Sequence, residues 1–76
     1  MTSDVTIFVR LLDEGVQVWR PVAAMPRGRA IYLIVEQPYD PSPETWEFSP
    51  GDVVSCDEVD LGEGPVLVAT GRITNR

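Results

Sequence analysis

Seventy-six residues are enough for one domain and too few for two, and a chain this short buries only about 60% of the surface it exposes when unfolded. A hydrophobic share of 43% argues against wholesale disorder. The net charge of −6 is uneven: residues 1–35 carry four Arg against three acids, residues 36–63 carry nine acids and no base, and residues 64–76 carry two Arg, so the acidic middle disfavours contact with a phosphate backbone.

In chain order, Val5-Thr6-Ile7-Phe8-Val9-Arg10-Leu11-Leu12 predicts a strand. Val5, Ile7, Val9 and Leu11 share one face by the two-residue period, with Phe8 and Leu12 on the other. Asp13-Glu14-Gly15 predicts a hairpin loop, with Gly15 able to take positive φ. Val16 to Ala24 predicts a second strand, Val16 and Val18 pointing one way and Gln17 and Trp19 the other. Pro21 lacks an N–H, which makes this strand an edge or bulges it there. Pro26-Arg27-Gly28-Arg29 supplies the next turn. Ala30 to Glu36 is the clearest strand, apolar enough to be central in a sheet. Gln37-Pro38-Tyr39-Asp40-Pro41-Ser42-Pro43 is a loop with three prolines, and Ser42-Pro43-Glu44 fits the cap of one short helical turn. Thr45-Trp46-Glu47-Phe48 alternates polar with aromatic, Ser49-Pro50-Gly51-Asp52 is a turn, Val53 to Val59 is a strand, and Leu61 to Pro65 turns again. Val66 to Thr70 closes the fold, with Gly71 to Arg76 continuing that strand or fraying.

Five or six short strands with a turn about every ten residues predict a mainly β fold over residues 1–76, a small barrel or sandwich with at most one short helical turn. An SH3-like barrel is the first expectation and an OB-like barrel the second. Closure also disposes of edges that so small a sheet has no other means to hide.

Three segments, Leu11-Leu12-Asp13-Glu14-Gly15, Val18-Trp19-Arg20-Pro21-Val22 and Glu44-Thr45-Trp46-Glu47-Phe48-Ser49-Pro50-Gly51-Asp52, together resemble a set of small uncharacterised bacterial proteins. The resemblance covers roughly residues 5 to 69. It implies a bacterial or phage origin, and it carries over neither an activity nor a functional residue.

Catalytic options are few. Histidine and lysine are both absent, which removes Ser–His and Cys–His nucleophile pairs, the commonest zinc ligand, Schiff-base chemistry and the phosphate-gripping lysine. Gly62-Glu63-Gly64-Pro65 is short and acidic and reads as a turn rather than a phosphate loop. Cys56 sits among Asp57, Glu58 and Asp60, whose charges raise its pKa, and it is expected to be a small buried apolar residue beside Val54. Asp57, Glu58, Asp60 and Glu63 do not match the EF-hand spacing, and their plainer reading is a solvated acidic surface. No catalytic residue, metal or cofactor is therefore expected, and the chain is not expected to be an enzyme. With one cysteine and no possible internal disulfide, a reducing, cytoplasmic home is expected. Neither a signal peptide near Met1 nor an apolar run of membrane-spanning length is recognisable.

The candidate interaction residues are Trp19, Arg20, Tyr39, Trp46, Asp57 and Glu58. Trp46 shares a face with Phe48, which favours a place in the core, whereas Trp19 shares a face with Gln17 and fits a core or an exposed position equally well. Tyr39 lies in the proline-stiffened loop, either presented to a partner or packed as a lid over one barrel end. The first functional expectation is a non-catalytic interaction module of inhibitor, immunity or accessory type, presenting the acidic surface to a basic partner protein. One alternative is a small-molecule or cation-binding barrel, motivated by Trp19 near Arg20 and by the clustered carboxylates. The other is a structural homo-oligomer subunit that pairs an uncovered strand at Pro21 or at the C-terminal run with a second copy. No nucleic-acid or membrane partner is expected.

Overall fold

Six strands follow one another in the computed structural model, which describes residues 4–40, 42 and 44–73: β1 Val5–Leu12, β2 Trp19–Gly28, β3 Ile31–Ile34, β4 Thr45–Trp46, β5 Val53–Asp60 and β6 Pro65–Arg72. The described residues form no helix. The turn expected at Ser42-Pro43-Glu44 involves Pro43, which lies outside the described residues; Ser42 donates its N–H to Asp40 Oδ1 at 2.9 Å.

β1, β2, β3, β5 and β6 hydrogen-bond around a ring. Each neighbour in the meander is antiparallel, and the ring is completed by a parallel pairing of Phe8 in β1 with Val68 in β6. The parallel closure is a matter of parity. A meander of an odd number of strands brings its first and last strands together running the same way. β4 adds to β1 beyond the end of β2, with Leu11 opposite Trp46 and Leu12 opposite Thr45. Inward-facing residues fill the ring: Ile7, Val9, Leu11, Val22, Ala24, Ile34, Trp46, Phe48, Val54, Cys56 and Ala69 form one buried cluster. Among the described residues no polar or charged residue is buried with them.

The second strand differs from expectation at both ends. It starts at Trp19, not Val16, and Val16 is 75% exposed. Leu11 N–H donates to Val18 O at 2.9 Å, which leaves a wide loop between them. The left-handed residue in that loop is Asp13 at φ 64°, not Gly15; aspartate tolerates this region better than most side chains. The strand then runs through Pro26 to Gly28. The register shifts between Pro26 and Gly28, the irregularity that lets a strand hold a proline. Pro21 needs none, because it stands opposite Phe8 where β1 is the only strand beside β2. The turn itself falls at Arg29-Ala30, with Ala30 at φ 60°.

β3 ends sooner than the apolar run Ala30 to Glu36 predicts. Val35 N–H still reaches Ala23 O at 3.2 Å. The Gln37 side chain then stands in for a strand: its Oε1 accepts from Ala23 N–H at 3.1 Å, and its Nε2 donates to Ala23 O at 2.9 Å and Val35 O at 2.8 Å. That amide fixes where the proline-rich loop leaves the barrel. The loop's far side is fixed by the turn Ser49-Pro50-Gly51-Asp52. Asp52 N–H donates to Ser49 O at 3.0 Å, and Gly51 has φ 94°, the arrangement of a type II turn.

Candidate functional site

Pro38, Tyr39 and Asp40 of the proline-rich loop lie at the barrel end where β1 finishes, β2 starts and β4 is added. Tyr39 stacks on Trp46 there, ring centroids 4.3 Å apart and planes 28° from parallel. Its hydroxyl accepts a hydrogen bond from the Trp46 main-chain N–H at 3.0 Å. Trp46 is only 5% exposed, so one residue both roofs the core and floors the surface above it. Tyr39 is half-buried and packs against the core cluster, which makes the loop a lid and still leaves part of the ring in solvent.

Glu44 organises the polar side of this place. It lies two residues before Trp46, and its Oε1 accepts from the indole Nε1–H at 2.9 Å and faces Arg20 Nε at 3.4 Å. Arg20 arrives by strand alternation: Val22 and Ala24, on the same face, are buried, and Arg20 is one step further out, at the rim. Both members of the Arg20–Glu44 pair are partly solvated, with side chains 53% and 29% exposed, so the pair contributes about 0–1 kcal/mol and is free to rearrange. Together Arg20, Pro38, Tyr39, Asp40, Glu44 and Trp46 line an open hollow of about 440 Å³. Two carboxylates against one guanidinium leave its rim net negative.

Of the six sequence candidates, Arg20, Tyr39 and Trp46 meet in this hollow. Trp19 does not line it. It is on the opposite face of β2 from Arg20, half-buried and paired with Arg10. Asp57 and Glu58 are elsewhere, exposed on β5 opposite Val68 and Leu67. Val68 in turn faces Phe8, three residues back along β1 from the Leu11–Trp46 pair, or about 10 Å. Asp40 and Glu44 are not among those candidates. The two-residue period around Trp46 is a signal for Glu44; nothing local signals Asp40.

Cys56 is buried, with 3% exposure, beneath β5. Burial, and secondarily the Asp57 carboxylate beside it, push its thiol from the ordinary 9.0 up to about 11. Among the described residues no three His, Cys, Asp or Glu side chains group as metal ligands, and no helix is long and apolar enough to cross a membrane. No protein family matches the chain, nor does any curated protein or solved structure.

Proposed function

We propose that this chain is a non-catalytic interaction module, a small SH3-like barrel of the cytoplasm, that binds a basic partner protein by taking a cationic side chain into the hollow at Tyr39 and Trp46. The observation that carries the reading is the aromatic stack under a carboxylate rim. A guanidinium or ammonium group over an aromatic face gains about 0.5–1 kcal/mol when exposed and about 2 when desolvated. Asp40 and Glu44 supply charge-assisted acceptors at the same place. The stretch of nine acids and no base around these residues adds long-range attraction, which speeds encounter with a basic surface and selects against acidic ones. Gln37 and Tyr39 are themselves held by hydrogen bonds, which lowers the ordering entropy lost when a partner meets Tyr39.

Titration of isotope-labelled protein with an arginine-rich peptide tests this. Amide shifts at Arg20, Tyr39, Asp40, Glu44 and Trp46 that weaken as salt rises are the expected result. No shift at those residues at low salt overturns the reading.

A further inference from the structure

β5 is longer than the neighbour that covers it. β3 pairs with it only from Val53 to Ser55, and the last backbone bond across that seam runs from Cys56 N–H to Ala30 O at 2.9 Å. β5 continues for four residues, Asp57 to Asp60, which among the described residues pair with β6 alone. Backbone direction alternates along a strand. Cys56 N–H points at the β3 side, so the N–H and C=O groups of Glu58 and Asp60 project from the uncovered edge, while Asp57 and Val59 bond across to β6. All four residues are exposed.

Side chains alternate as well, and they differ between the two faces of this edge. Glu58 and Asp60 lie on one face, Asp57 and Val59 on the other. Val59 stands opposite Val66, beside a hollow of about 220 Å³ lined by Phe8, Leu61, Glu63, Gly64 and Val66. A strand added here meets Glu58 and Asp60 on one face and, on the other, Val59 beside Asp57. A second copy of this chain is a poor occupant, because pairing edge to edge sets Glu58 and Asp60 against themselves, and like charges opposite one another destabilise a sheet.

We propose that the β5 edge at Glu58 and Asp60 accepts an extended segment of a partner protein, one that alternates basic and apolar residues, as an added β-strand. This rests on the reading that the partner is basic, and it uses a surface apart from the Tyr39–Trp46 hollow. Main-chain bonds at Glu58 and Asp60 hold the segment, basic side chains over those two carboxylates choose it, and Val59 receives the intervening apolar residue.

The test is a titration of isotope-labelled protein with a capped eight-residue peptide alternating Arg and Val, followed by amide shifts and hydrogen exchange. Slowed exchange at the Glu58 and Asp60 amides is expected. The double variant Glu58→Gln/Asp60→Asn weakens affinity about fivefold through loss of two cross-strand charge pairs. Glu58→Pro removes the outward N–H without touching the β5–β6 ladder, a position where proline is tolerated, and weakens binding about tenfold or more while the thermal melt stays cooperative. Tyr39→Ala leaves binding at the edge unchanged. Peptide shifts confined to Arg20, Tyr39 and Trp46 overturn the edge proposal and leave the hollow standing. Shifts confined to the edge do the reverse. No response at millimolar peptide overturns it, as does concentration-dependent protection of Glu58 and Asp60 without peptide, which would assign the edge to a second copy.

Discussion

Replacing Tyr39 with Phe removes one atom, the oxygen that accepts from the Trp46 main-chain N–H at 3.0 Å. The ring and its stack on the indole remain. Trp46 is 5% exposed, and a buried donor left without an acceptor costs about 1–3 kcal/mol. Tyr39 itself is half-buried, so water approaches the vacated position and the cost falls in the lower half of that range, about 1–1.5 kcal/mol. For a domain of 76 residues each kcal/mol lowers Tm by about 4–8 °C, so Tyr39→Phe melts about 5–10 °C below the parent. Circular dichroism and urea unfolding read this directly, with the m-value unchanged. Tyr32→Phe is the control: Tyr32 is half-buried on β3, its hydroxyl bonds to none of the described residues, and the loss of that oxygen stays within about 0.5 kcal/mol. Tyr39→Ala loses the stack as well, a further 0.5–1.5 kcal/mol or so. If Tyr39→Phe matches the control, the hydroxyl does not pin the loop to β4, and the claim that the hollow is pre-formed fails with it.

Three other outcomes follow from the same geometry. Ala30→Gly stabilises by about 0.5–1 kcal/mol, because an L-residue at φ 60° is strained by about 1–2 kcal/mol and glycine's added freedom in the unfolded chain offsets part of the relief; a lowered melting point would contradict the assigned turn. Asp52→Ala costs about 1–2 kcal/mol, since its Oδ2 accepts from Ser49 N–H at 2.8 Å and pairs with Arg72 at 3.0 Å, whereas Asp52→Asn keeps an acceptor and costs about 0.5; equal losses in urea unfolding would refute the turn's role. Cys56, with its thiol pushed up to about 11 from 9.0, reacts with a thiol reagent at pH 8 at least about 100-fold more slowly in the native protein than in urea. Because the folded state holds that proton more tightly, its contribution is constant below pH 9 and is lost as pH rises from 9 towards 11; Cys56→Ala is less stable at neutral pH but lacks that alkaline loss, and parallel pH curves would contradict the assignment.

The alternating valines and isoleucines were legible as strands because burial on one face of a sheet writes itself into a period of two. Val5 to Leu12 follows that rule along its length, and β5 follows it from Val53 to Cys56 before its last four residues leave the core. The places that were not legible are those where backbone conformation departs from residue preference. Gly15 and Gly28 attract the reading of a turn, yet the left-handed residues are Asp13 and Ala30. Pro26 reads as a stop, and a register shift carries the strand past it. In the hollow, Glu44 and Trp46 are two apart on one side of the chain, so their proximity was available from spacing alone. Tyr39 reaches Trp46 only because Gln37 imitates a strand at Ala23, a tertiary contact across 14 residues that no local pattern encodes.

The most direct measurement of cation binding uses the Trp19→Phe protein, in which Trp46 is the only indole left. Its emission is followed against capped arginine amide and against capped citrulline amide, which has the same shape and no charge. The account predicts a saturable, salt-sensitive change with arginine, abolished by Tyr39→Ala, and little change with citrulline. Equal responses to the two, or none to either at millimolar concentration and low salt, would contradict it.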